Sequence, residues 1–203
     1  MLGYSITQTI VAPLAKLRIR ELTGVKCLPQ TGPAIIAINH ASWFDPLTFG
    51  GAIYPTFRRT MHFVAITNNW WWLGALPIDH AHPGDILRSA KLGLEQGRVM
   101  AIFPEGYRNS HPDMPRGKTG VARLALWTGA PVIPVGIRCL PGSSLREMAK
   151  NFRLTRHTSI HIGTPLLFPK MDEETITNEV LRRTTADIMR AIAQLAGKTY
   201  SYS

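Results

Sequence analysis

From Ala34 onward, short uninterrupted apolar runs alternate with stretches where apolar residues recur every three or four positions. Ala34 to Ile38 (AIIAI) has no polar member, which predicts a strand covered on both faces. His62 to Ile66, Val99 to Phe103, Val132 to Ile137 and Ser159 to Ile162 read as further strands. Between them, Asp85 is placed to cap a helix with Ile86, Leu87, Ala90 and Leu94 along one side and Gly97 at its end. Val121 to Thr128 reads as a helix closed by Gly129. A last long helix is expected from Asp172 to Ala196, burying Ile176, Val180, Ile188, Ile192 and Leu195. Strands and helices in alternation predict an α/β fold, a single domain with a largely parallel sheet flanked by helices. No repeat, low-complexity tract or interdomain linker breaks the pattern. Pro141 to Thr158 is the least patterned stretch and reads as a basic surface excursion.

The first 24 residues have a different character. Ile6, Ile10, Leu14 and Leu17 recur at helical spacing between a capping Ser5 and a stop at Gly24, with Lys16, Arg18 and Arg20 beside them and a kink at Pro13. A basic amphipathic helix of this kind lies in a membrane interface or packs on the core. The division is therefore residues 1–24 as an N-terminal amphipathic helix at the membrane surface and 25–203 as the main domain.

Charge sharpens that reading. The 203 residues carry 23 Lys plus Arg against 13 Asp plus Glu, a net charge of +10, and the surplus is spread along the chain. Such a field attracts anionic membranes, nucleic acid or acidic soluble partners. With 45% hydrophobic residues a disordered chain is excluded. No apolar run reaches the roughly 20 residues of a membrane span. The N-terminus lacks the charge order and cleavage site of a secretory signal. The expected location is the cytoplasmic face of the cell membrane, peripheral or monotopic. Cys27 and Cys139 are far apart and read as buried thiols, with no metal-ligand cluster in sight.

Three segments carry candidate chemistry. Asn39-His40-Ala41-Ser42-Trp43-Phe44-Asp45-Pro46 follows the strand AIIAI, and strand ends are where open α/β sheets place their sites. His40 and Asp45 are five apart, so on one continuous helix they would point away from each other. They meet if His40 sits on the turn and Asp45 in the first turn of the next helix. Asp45 then accepts the imidazole N–H and leaves the other nitrogen as a general base. Phe103-Pro104-Glu105-Gly106-Tyr107-Arg108-Asn109 follows the strand VMAIF. Gly106 suggests a tight turn, Arg108 offers a planar fork for a phosphate, and Glu105 is placed to accept from an acceptor hydroxyl or to orient Arg108. In Pro131 to Ile137, two prolines frame a strand that reads as a wall. The run Trp70-Trp71-Trp72 suits a membrane interface and contact with apolar lipid chains, or aromatic core packing. The pairs Arg58/Arg59 and Arg153/Arg156 suit anionic lipid headgroups or plain surface charge.

NHxxxxD, FPEGxR and VIPV, in this order and at these separations, resemble the glycerolipid acyltransferase family, best known through the lysophosphatidate (1-acylglycerol-3-phosphate) acyltransferases. The resemblance runs from about Gly32 to Ile137. It implies that His40 deprotonates the acceptor hydroxyl, Asp45 orients His40, and the alkoxide attacks an acyl thioester with no acyl-enzyme. It also implies that Glu105, Gly106 and Arg108 bind the acceptor, with Arg108 on its phosphate. Leu76-Pro77-Ile78-Asp79-His80 departs from the pattern, because His80 stands where the family usually has arginine, a weaker phosphate contact when neutral. Tyr107 stands where threonine or serine is usual, and Asn109 where serine is usual.

The resemblance implies a membrane-associated O-acyltransferase in phospholipid biosynthesis, converting 1-acylglycerol-3-phosphate to phosphatidic acid. Its partners would be an acyl donor (a coenzyme A thioester or acyl carrier protein), a lysophospholipid acceptor and an anionic membrane surface, with no cofactor and no metal. The alternatives are another lyso-lipid or glycolipid acceptor, or a non-enzymatic protein that binds anionic membranes. Nucleic acid is not expected, because only the charge suggests it and no recognition motif accompanies it.

Overall fold

In the computed structural model, residues 16–42, 44–54, 56–64, 83–139 and 156–203 are described. Strand β2 (Ala34–Ile38) is buried at all five positions because it runs down the middle of the sheet. It pairs in parallel with β4 (Val99–Ile102) on one side and β5 (Val132–Arg138) on the other. Six strands line up in the order β1-β6-β5-β2-β4-β3, where β1 is Ile19–Thr23, β3 is Met61–Val64 and β6 is Thr158–Ile162. β3 runs parallel to β4 and β1 parallel to β6, and only the β5/β6 pair is antiparallel. The largely parallel α/β domain expected from the apolar runs is the fold that forms.

Successive residues of β2 face opposite layers. Ala34, Ile36 and Ile38 pack with Phe49, Ala52 and Ile53 of helix α1 (Asp45–Ile53). Ile35 and Ala37 face helices α2 (Pro83–Glu95), α3 (Gly120–Thr128) and α4 (Asn178–Ala196) through Leu94, Leu124, Ile188 and Ile192. Helix α4 lies directly on β5. A Cβ added to Gly136 would sit 2.2 Å from the backbone carbon of Leu195 and 2.3 Å from the nitrogen of Ala196, so only glycine permits this approach.

Three expected boundaries move. The N-terminal helix does not extend to Gly24. Residues 16–18 are helical, but Ile19–Thr23 forms edge strand β1, so a division at residue 24 cuts through the sheet. Helix α4 begins at Asn178 rather than at Asp172, because Glu173–Thr175 is a separate 3₁₀ turn. The Thr177 hydroxyl then caps the helix by accepting from the Val180 N–H at 3.3 Å. Helix α2 begins at Pro83, which places Asp85 in its first turn rather than at the cap. Residues 1–15, Trp70 to Trp72, His80 and Arg153 lie outside the described residues. Among the described residues, no helix is long and apolar enough to cross a membrane.

Arg59 also departs from its expected role. Its guanidinium donates to the carbonyls of Pro29 (3.0 Å) and Gly97 (2.7 Å) and also to that of Gly32. It ties together the segments that lead into β2 and β4, at the opposite end of the strands from His40. A guanidinium committed to backbone carbonyls is a structural tie, not a lipid contact. Cys27 and Cys139 are free thiols, partly buried rather than fully so.

Candidate active site

β2 and β4 end side by side, and the two segments that leave them grip one another. After Ile38, the Asn39 side chain replaces the missing strand partner. Its amide nitrogen donates to the Ile137 carbonyl (3.0 Å) and its oxygen accepts from the Ile137 N–H (2.6 Å). The chain then turns at His40, and α1 starts at Asp45. This is the turn-then-helix arrangement that allows residues five apart to meet.

His40 Nδ1 lies 2.9 Å from Asp45 Oδ2. The same oxygen accepts from the N–H groups of Ala41 and Ser42, both at 2.7 Å. Three nitrogens thus converge on one carboxylate oxygen at the start of a helix. An anionic carboxylate can only accept, so Nδ1 carries the proton and Nε2 keeps its lone pair. Phe103 stacks on the imidazole with ring centroids 4.2 Å apart, which fixes the ring plane. Asp45 is 2% exposed, while the His40 side chain keeps 19% of its surface open. The imidazole of His40 reaches the outside and the carboxylate of Asp45 does not.

The second segment holds the backbone of His40 from both sides. Glu105 Oε1 accepts the His40 N–H at 2.7 Å, and the Asn109 N–H donates to the His40 carbonyl at 2.6 Å. Gly106 makes the reversal between them with φ +75, where a side chain would be strained. This corrects the expectation for Glu105. It is 1% exposed and turned inward under His40, not presented to an acceptor. Among the described residues, its second oxygen, Oε2, has no hydrogen-bond partner. Burial raises the Glu105 carboxyl above its ordinary range, opposed by the His40 N–H and the charge of Lys198. Gly106, Tyr107 and Arg108 are exposed on the outer side of the loop. Asn109 is buried. Its side chain accepts from the His111 N–H and donates to the Asp113 carbonyl, so at this position it builds the turn.

Two neighbours escaped the sequence reading. Arg18, grouped there with the basic side of a membrane helix, is half-buried with its guanidinium 5.3 Å from the centre of the Phe44 ring. Burial lowers its pKa, while Cys139 and Asp45 oppose that shift. Cys139 is pushed up to about 12, first by burial and then by the charge of Asp45, so it stays a thiol. No spacing signal marks either residue, because both reach the site through the fold. A cleft of about 320 Å³ opens beside the His40 turn, with Ala41, His111, Arg138, Cys139 and Lys198 among its walls. Among the described residues, no group of His, Cys, Asp or Glu is placed to hold a metal ion.

Residues 19–138 match the acyltransferase family model. The chain belongs to the acyltransferase family. Among its relatives, the human 1-acyl-sn-glycerol-3-phosphate acyltransferase alpha is 28% identical over 149 residues, covering 66% of this chain and 53% of the relative. A Borreliella burgdorferi 1-acyl-sn-glycerol-3-phosphate acyltransferase is 25% identical over 150 residues, covering 69% and 59%. The chain thus spans about half the length of the curated relatives it matches. The crystal structure of the 1-acyl-sn-glycerophosphate (LPA) acyltransferase PlsC from Thermotoga maritima matches with a TM-score of 0.62 at 19% identity, covering 97% of this chain and 83% of that one. That likeness establishes a shared fold. The acyltransferase match takes in both segments of the site, His40 to Asp45 and Glu105 to Arg108.

Proposed function

We propose that this acyltransferase-family chain moves a fatty acyl group from an acyl thioester to the free hydroxyl of a lysophospholipid. The acceptor is 1-acylglycerol-3-phosphate and the product phosphatidic acid. The observation that carries this reading is the His40–Asp45 pair, with Nδ1 committed to the carboxylate and Nε2 without a partner among the described residues. Nε2 takes the proton of the acceptor hydroxyl as its oxygen attacks the thioester carbonyl. The tetrahedral intermediate collapses and expels the thiolate, which takes the proton back from the imidazolium. Asp45 steadies that transient cation. No acyl-enzyme is needed. The N–H groups of His40, Ala41 and Ser42 are already engaged, so the oxyanion is stabilised by other donors.

Arg108, exposed on the outer side of the Gly106 loop, is the group that holds the acceptor phosphate. Glu105 acts beneath the loop as a positioning residue that sets the backbone of His40. Coenzyme A and acyl carrier protein are both acidic donors that suit a chain of net charge +10. Association with the cytoplasmic face of an anionic membrane fits the same charge and the same acceptor. The relatives named for 1-acyl-sn-glycerol-3-phosphate support this choice of acceptor. The experiment is a thiol-release assay in detergent with a long-chain acyl-CoA and, separately, acyl carrier protein. The acceptors are lysophosphatidate, lysophosphatidylethanolamine and monoacylglycerol. Turnover with lysophosphatidate supports the reading. Turnover only with another acceptor replaces the acceptor and keeps the mechanism. Vesicle binding with no turnover on any acceptor and either donor would make the chain a membrane-binding protein.

A further inference from the structure

We propose that Lys118 is a second cation of the acceptor headgroup site, set beside Arg108 by the Gly106 loop. This rests on the reading of that loop as the site for a phosphate-bearing acceptor. The observation is steric. A Cβ built on Gly106 would lie 2.3 Å from Lys118 Cε and 2.5 Å from Nζ. The stem of Lys118 therefore crosses the bare α-carbon of Gly106, itself two residues before Arg108, and the lysine is exposed. The Lys118 N–H donates to the Pro104 carbonyl at 2.8 Å, so the same loop anchors the backbone of this lysine.

Charge is sorted across the loop. Glu105, next to Gly106, is turned inward onto the His40 N–H. Its anion is hidden while the two cations, Lys118 and Arg108, are exposed. The Lys118 ammonium has no hydrogen-bond or ion-pair partner among the described residues. Two other lysines are committed elsewhere. Lys198 donates to the carbonyls of Asn109 and His111, and Lys91 pairs with Glu173 at 2.6 Å. An exposed ammonium held over Gly106, in the same loop region as the exposed Arg108, suits a dianionic phosphate monoester better than a neutral headgroup. The glycine is then required twice: for its positive φ, and because any side chain would displace the lysine.

The competing role for Lys118 is to cover the glycine with its methylenes. Lys118→Met keeps that cover and removes the charge, and Lys118→Arg keeps the charge. Steady-state kinetics with lysophosphatidate and acyl-CoA separate the two roles. Lys118→Met should raise the lysophosphatidate KM roughly tenfold, the scale of one hydrogen bond to a charged group, with kcat and the acyl-CoA KM unchanged. Lys118→Arg should restore most of it. An unchanged lysophosphatidate KM overturns the proposal. So does a rise confined to the acyl-CoA KM, which would assign the lysine to the donor phosphates. If the wild type turns over no acceptor, the enzymatic reading fails by itself. Calorimetric titration with monomeric lysophosphatidate then decides. Binding that Lys118→Met weakens about tenfold keeps the headgroup site, and equal or absent binding removes it.

Discussion

At the residue scale, the candidate site is a histidine, His40, held from three directions: Asp45 on the ring nitrogen, Phe103 on the ring face, and Glu105 with Asn109 on the backbone. The first was legible in the sequence, because HxxxxD after an apolar strand has one geometry that brings its ends together. The role of Glu105 was not. A carboxylate beside glycine and arginine looks like a surface group, and only the reversal at Gly106 turns it inward. Its burial has a consequence for stability. The folded-state pKa lies above the ordinary 4.5, so the folded protein holds this proton more tightly than the unfolded chain does. Its contribution to stability is therefore fully present below the ordinary value and is lost as pH rises through the folded value. Glu105→Gln keeps an oxygen for the His40 N–H and removes the titration. Thermal melts of the two proteins should diverge in favour of the variant as pH climbs from about 4.5 toward neutrality. A constant difference across that range would mean that the carboxyl does not titrate abnormally.

At the scale of elements, the site depends on β2 staying registered against β5 as its own ladder runs out. Asn39 does this with two bonds to Ile137. Asn39→Ala leaves a buried N–H and a buried carbonyl without partners, at a cost of about 1–3 kcal/mol each. Urea denaturation should show a lower midpoint with an unchanged slope. One strand over, Gly136→Ala drives a methyl into the backbone of α4 at Leu195 and Ala196. Overpacking of this kind costs about 1–3 kcal/mol and should lower the melting temperature without touching the His40–Asp45 pair directly. The central strands were legible because complete burial leaves an unbroken apolar run. β1 was not. IRELT is an edge strand with no fully buried position, and its two apolar residues, Ile19 and Leu22, are three apart, which is the spacing of a helix. The start of α4 was misplaced for a similar local reason, since the capping bond of Thr177 outweighs the acidic run before it.

At the scale of the molecule, the +10 charge is a field rather than a tail, and parts of it are spent on structure. Arg59 ties the far end of the sheet, Arg138 bonds the Leu195 carbonyl at the end of α4, and Lys198 bonds the carbonyls of Asn109 and His111. Binding to vesicles containing phosphatidic acid should weaken steeply as salt rises, while neutral vesicles should show little dependence. Salt-independent binding to both would mean that apolar insertion dominates. The central claim, however, is that His40 is the base and that its Asp45-bonded tautomer carries the reaction. The most direct measurement is kcat for lysophosphatidate acylation by His40→Ala beside the wild type, with melting temperatures to show that both are folded. A fall on the order of 10²–10⁴ in a folded variant is the predicted result. A folded variant that keeps its rate within a fewfold of the wild type would contradict it.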